Sequence, residues 1–427
     1  MLDELTRILR EVELGPFLRD VASHLSASFV ERSLGILGRM NLISTRAIHR
    51  RELREKVKDM PFIYRDLEGD VANDFVDPDL RALSIESLSP EIGLLKTVDD
   101  RIRERKRILV LGNAGIGKTT FLRYEILLLL NTKGQLKHYM DKERLLPFYV
   151  PLKAVDGTKE YPILNYLLEN NRYLEGGGLK RLTVLAKDQE LFLFLDGYDE
   201  VEIGSRDSAN SSQDHISLEL RYFLQSEVLR ENLSMSLEYR EFYAAAQQCR
   251  IWISSRKEFF QINPIQLEDV PSINQTHGAH HGIKRAAAVQ LAGIGRNRGQ
   301  LANNIFDKYR NRSKKYNDVL SAEFFLQEID RSPDQELVGL SYNPLFFTVM
   351  AYIYAEKAVA AESFQVTIGQ TLPQLILECI SLLLSGIDKQ KARIVPLAQN
   401  AAFLRRRGDY IDEKKDFLYY FASRLLY

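Results

Sequence analysis

Residues 112–119 read Gly-Asn-Ala-Gly-Ile-Gly-Lys-Thr, with glycine at the first, fourth and sixth places and a lysine and a hydroxyl at the end. A chain that wraps a polyanion in its own N–H groups needs glycine wherever a side chain would block close approach. Gly112, Gly115 and Gly117 meet that need. The expected phosphate contacts are therefore Gly112, Asn113, Ala114, Gly115, Ile116, Gly117, Lys118, Thr119 and Thr120. Lys118 would reach the β- and γ-phosphates, and Thr119 carries the hydroxyl that such loops place on Mg²⁺, leaving Thr120 less constrained. Residues 107–111 before the loop read as a strand, and 119–130 after it as a helix whose positive dipole end would face the phosphates. A nucleoside triphosphate is the expected ligand.

Two further runs could complete that chemistry. Residues 190–196, Glu-Leu-Phe-Leu-Phe-Leu-Asp, form an apolar strand that delivers Asp196 to a sheet edge, where a carboxylate can hold Mg²⁺. Gly197 follows, and then Tyr198, Asp199 and Glu200, so that either Asp199 or Glu200 is placed to polarise an attacking water. Residues 251–256, Ile-Trp-Ile-Ser-Ser-Arg, make a third strand ending in two hydroxyls and Arg256, a candidate sensor of the γ-phosphate.

The elements that must position these groups alternate. Residues 145–152 read as a strand, 161–168 as a helix, and 190–195 and 250–254 as buried strands, so a parallel sheet with helices on both faces is expected. Residues 203–214 and 264–282 read as loops, Gly176-Gly177-Gly178 as a turn, and 288–291 as an edge strand. Beyond residue 300 the pattern is helical, punctuated by Pro333, Pro344, Pro373 and Pro396. Residues 2–60 also show helical spacing. Their later part carries Arg46, Arg50, Arg51, Arg54, Lys56 and Lys58, expected as a solvated face. Residues 64–90 are acidic and irregular and read as a linker. The expected division is a helical region at 1–62, a linker at 63–95, an α/β NTPase core at 96–297, an all-α domain at 298–410 and a further segment at 411–427.

The whole chain has 427 residues, of which 58 are Lys or Arg and 58 Asp or Glu. No global field draws it to nucleic acid or an anionic membrane. Cys249 and Cys379, the only cysteines, are too few for a disulfide framework, and the N-terminus has no secretory pattern. No apolar run is long enough to span a bilayer. A cytoplasmic location is expected. His277, His280 and His281 lie close together without a convincing set of further ligands, so no metal site is expected there.

Taken together, the 112–120 loop, the Leu-Phe-Leu-Phe-Leu-Asp-Gly-Tyr-Asp-Glu strand and the Ile-Ser-Ser-Arg strand resemble a NACHT domain, the NTPase module of NOD-like receptors and of related bacterial and fungal proteins. The small residue after the metal acid, followed by a second acidic pair, carries that resemblance most specifically. Residues 145–152 resemble the family's second strand, and Ser341-Tyr342-Asn343-Pro344-Leu345 its helical-domain motif, which makes Pro344 a candidate base contact. The resemblance covers roughly residues 90–427. It implies an AAA-plus-like P-loop fold and a slow ATPase of the STAND class that holds ADP when closed. Exchange for ATP on a trigger would lead to self-association, in innate immunity or antiphage defence. Preference for ATP over GTP rests on the resemblance alone. The family continues into a winged-helix domain, and residues 411–427 would begin one, so a truncated chain is expected. Two other readings are a motor-type AAA-plus ATPase and a non-hydrolysing, nucleotide-stabilised scaffold.

Overall fold

The computed structural model describes residues 46–58, 71, 75–83, 90–95, 106–130, 145–175, 177–201, 212–262, 286–368 and 375. A helix at residues 46–58, α1, comes first. Strands β1 (Asp79–Leu83), β2 (Pro90–Leu95) and β3 (Arg107–Leu111) lead to α2 (Lys118–Leu130). Then come β4 (Leu146–Pro151), α3 (Pro162–Asn170), α4 (Gly178–Lys187) and β5 (Leu191–Asp196). Helices α5 (Ser212–Leu224), α6 (Ser226–Glu231) and α7 (Leu237–Ala246) precede β6 (Arg250–Ser255), α8 (Lys257–Ile262) and β7 (Ala286–Gly293). Helices α9 (Arg298–Arg312), α10 (Ala322–Asp330), α11 (Gln335–Leu340) and α12 (Pro344–Ala361) follow.

Strands that read as unbroken apolar runs are buried on both faces. That holds for β3 and β5, whose residues are buried throughout. The sheet has seven strands in the order β2-β1-β7-β3-β6-β5-β4. From β7 to β4 every pairing is parallel, while β1 and β2 are antiparallel additions. The strand before the glycine loop and the strand bearing Asp196 are thus not neighbours, because β6 lies between them. Register brings Leu111 level with Ser255 and Leu195 level with Ile253, so all three strands deliver their carboxyl ends to one edge.

Alternation along the strands makes two cores. Leu109, Phe148, Leu193 and Ile253 pack with α3, α4, α5 and α7 on one face. Ile108, Tyr149, Phe194 and Trp252 pack with α2 and α1 on the other. A third core joins α9, α10, α11 and α12 through Phe306, Phe325, Met350 and Tyr354, with Ile294 and Val76 at its margin.

Several expectations are corrected. The stretch read as a linker, 63–95, contains β1 and β2, which are strands of the sheet. Its acidic residues masked a short amphipathic strand: Leu80 is buried and pairs with Leu291, whereas Arg81 is exposed. β7 is not an edge strand, since β1 covers it; among the described residues the edges are β2 and β4. The basic helix α1 is only half solvated. His49, Leu53 and Val57, one turn apart, are buried. Alongside them Arg46 pairs with Glu190, Arg50 Nη2 donates to the Leu145 carbonyl at 3.0 Å, and Arg54 donates to the Leu130 carbonyl. Arg51 and Lys56 remain exposed. The expected loop at 264–282, its three histidines, Cys379 and residues 411–427 lie outside the described residues, as does most of 203–214, whose last three positions open α5.

Candidate functional site

The glycine loop starts where β3 ends. Gly112 N donates to the Ser255 carbonyl at 3.2 Å, tying the loop to β6, and Phe121 N donates to the Gly117 carbonyl at 2.8 Å as α2 begins. Gly115 and Gly117 have φ of +72° and +93°, which side chains rarely adopt. A Cβ on Gly115 would also stand 2.9 Å from Leu345 Cδ2, so this glycine is needed for shape as well as for backbone freedom. Lys118 Nζ donates to the Gly112 carbonyl at 2.9 Å and the Asn113 carbonyl at 3.3 Å. Burial lowers its pKa, and Asp199, Asp196 and Glu200 offset part of that while Arg256 adds to it.

Residues 114–120, Asp199, Glu200, Arg256 and Pro344, all singled out from sequence, line one cavity of about 310 Å³. That size is at the low end of the roughly 300–1,000 Å³ usual for small-molecule sites. Its polar lining includes Lys118, Thr119, Asp199 and Glu200, and its apolar lining includes Phe75, Val76, Pro78, Ile294, Leu301 and Pro344. Sequence reasoning missed Phe75, Val76 and Pro78 because the acids around them read as a linker. Their signal was an apolar pair followed by proline. Phe75 stacks on Tyr124 of α2 with ring centroids 3.8 Å apart.

The three acids behave differently. Asp196 is 6% exposed and does not line the cavity. Its Oδ2 accepts from Tyr149 Oη at 2.7 Å and its Oδ1 from Ser254 Oγ at 2.6 Å. Burial, then the Asp196 charge, pushes the Tyr149 pKa far up, so that phenol stays protonated. The Asp199 side chain is 2% exposed, and its carboxylate accepts from both Arg256 Nε at 2.8 Å and Arg256 N at 3.0 Å. Glu200 is freer: its side chain is 43% exposed and stands 3.5 Å from Lys153 Nζ. Gly197, at φ +80°, makes the turn between these acids, and a Cβ there would come 3.2 Å from Glu200 Cδ.

The helical layer reaches the loop directly. Asn343 Nδ2 donates to the Ala114 carbonyl at 3.1 Å, and Leu345 N to the Gly115 carbonyl at 3.3 Å. Ile294 N donates to the Tyr342 carbonyl at 3.0 Å, holding the same turn to the end of β7. Proline at the first position of α12, with Asn343 Oδ1 accepting from Leu345 N, is a favoured helix start and explains why the turn has this shape.

Residues 106–236 match the family model of the NACHT domain. The chain contains a NACHT P-loop NTPase domain. The match takes in the glycine loop, Asp196, Asp199 and Glu200; β6 with Arg256, β7 and the helical layer lie beyond it. No curated protein matched the chain. The NACHT domain is a nucleoside-triphosphatase domain, and the parallel α/β sheet is the fold that activity uses. Among the described residues, no helix is long and apolar enough to cross a membrane, and no group of three or more His, Cys, Asp or Glu could hold a metal ion. Mg²⁺ on a P-loop does not need such a group. A hydroxyl and one carboxylate, with phosphate oxygens and water filling the other places, suit a hard cation that dehydrates reluctantly. Thr119 and Asp196 fit that description. Cys249 donates weakly to the Ala186 carbonyl and, with its pKa pushed up to about 12 by burial, is an inert core residue.

Proposed function

We propose that this chain is an ATP-dependent signalling switch, in which the NACHT domain binds Mg·ATP and hydrolyses it slowly and the helical layer reads the result. The observation that carries the reading is the seating of Asn343 and Leu345 on the carbonyls of Ala114 and Gly115, with Pro344 in the same cavity. A ligand that reshapes the loop acts at once on the helical layer. Nucleotides that fit the two arrangements unequally will therefore shift their populations.

The phosphates would lie on the N–H groups of 112–120, with Lys118 on the β- and γ-phosphates and the base against Pro344, Phe75 and Ile294. Mg²⁺, held by Thr119 and through Asp196, would neutralise charge on the β- and γ-oxygens. Asp199 has both oxygens committed to Arg256. Its role is to aim that arginine at the γ-phosphate. Glu200 lines the cavity and is free enough to accept a proton. We assign it the water: the water oxygen bonds to the γ-phosphorus, the bridge to the β-phosphate breaks, Glu200 takes the proton, and ADP and phosphate leave. By analogy with the family it resembles, we infer a role for such a switch in innate immunity or antiphage defence, with an unidentified trigger and self-association in the ATP state.

Glu200→Gln tests the reading. ATP affinity should stay within about twofold, hydrolysis should fall by about 100-fold or more, and the ATP-loaded variant should show a higher mass in solution than the ADP-loaded one. Unchanged turnover, or one mass in both states, contradicts it.

A further inference from the structure

Four side chains from α2, β4, β5 and β6 meet around Asp196, and three of them, Arg123, Tyr149 and Ser254, have no part in the reaction above. Tyr149 Oη donates to Asp196 Oδ2, and Ser254 Oγ donates to Asp196 Oδ1. Both protons have fixed directions. The Tyr149 hydroxyl donates to the Asp196 carboxylate, and the guanidinium of Arg123 beside it has only donors, so the phenol proton points at Asp196. Gly197 N donates to Ser254 Oγ at 2.8 Å, so the serine proton must do the same. Arg123 also lies 5.7 Å over the Tyr149 ring, fixing it from the side. Arg123 is one helical turn beyond Thr119, so α2 carries both the magnesium hydroxyl and this support on one face.

A buried carboxylate that serves a cation must be held still, and hydrogen bonds from two fixed hydroxyls do that. Each Asp196 oxygen spends one lone pair on a hydroxyl and keeps another. The arrangement rests on the reading of Asp196 as the magnesium acid. On it, we propose that Tyr149, oriented by Arg123, and Ser254 are the positioning residues of Asp196 and set how strongly Mg²⁺ couples to nucleotide binding. Neither Tyr149 nor Ser254 lines the cavity. Their effect should be seen in metal dependence and not in the protein's affinity for metal-free nucleotide.

The test is a fluorescent ATP analogue titrated onto the full chain in EDTA and across a MgCl₂ series, for the wild type, Tyr149→Phe and Ser254→Ala, with melting curves of each. Both variants should need about tenfold more Mg²⁺ to reach half of the magnesium enhancement, with affinity in EDTA within twofold of wild type. Two variants on different strands guard against one that fails to fold. A wild-type Mg²⁺ response in both folded variants, or equal losses with and without Mg²⁺, would overturn the proposal while leaving the switch intact. If the wild type binds the analogue with no Mg²⁺ response, Asp196 is not a magnesium acid and this inference falls with that assignment. Should the wild type not bind it at all, the proposed function itself is wrong.

Discussion

Glu219, Asp199 and Asp196 are all buried, yet each carboxylate is satisfied by different chemistry. Asp199 has a guanidinium and Asp196 two hydroxyls, whereas Glu219 has no cation in contact among its hydrogen-bond partners. It accepts from Ile163 N at 2.5 Å and Leu164 N at 2.8 Å, capping α3, and from Tyr243 Oη at 2.7 Å. Its burial outweighs those bonds and raises its pKa to about 7. An unfolded glutamate titrates near 4.5. Between these values the folded chain binds more protons than the unfolded one, so the contribution of Glu219 is intact below about pH 4.5 and is lost as pH rises towards 7. The loss amounts to at most about 3 kcal/mol. Glu219→Gln should flatten the fall in melting temperature between pH 5 and pH 8 relative to wild type. A variant with the wild-type slope would show that this carboxylate is ionised throughout.

At the scale of elements, what could be read from sequence was what local chemistry writes. Glycines at 112, 115 and 117 and the apolar runs ending at Leu111, Asp196 and Ser255 need no distant partner to be recognised, and the structure has a loop and three strands there. The parallel order itself was only a class expectation. That β6 would come between β3 and β5, giving weight to Ser254 and Arg256, depends on pairings between strands far apart in the chain, Arg107 with Ile251 and Phe192 with Arg250. β1 escaped for the same reason, since a five-residue strand among acids is specified mainly by its register on β7. The arginines of α1 were misread because two of their partners are backbone carbonyls, at Leu145 and Leu130, which carry no residue-specific signal. His49 is a further case: Nε2 meets the Pro147 carbonyl at 2.9 Å and the ring lies 4.6 Å from Phe148. Tyr149 looked like any aromatic strand residue, and only the alternation of β4 turns its hydroxyl towards Asp196.

For the molecule as a whole, the proposed switch turns on how the helical layer sits on the NTPase sheet. The contact is small and specific. Arg298 reinforces the turn that makes it, bonding Asp330 at 2.9 Å and Ser341 Oγ at 2.8 Å and lying 4.8 Å over the Tyr342 ring. Asn343→Asp isolates its contribution, because aspartate keeps the acceptor that caps α12 but loses the donor to the Ala114 carbonyl. ADP should leave that variant several-fold faster than the wild type, at nearly unchanged melting temperature, in a stopped-flow chase. An unaltered off-rate would uncouple the helical layer from the loop.

All of this depends on the loop binding a nucleoside triphosphate. Equilibrium binding of labelled ATP to the wild type and to Lys118→Ala, in Mg²⁺, tests that directly. The account predicts one saturable site per chain in the wild type and a loss of about 100-fold in the variant, the worth of a charged contact to the phosphates. Equal, tight binding by both proteins would contradict it.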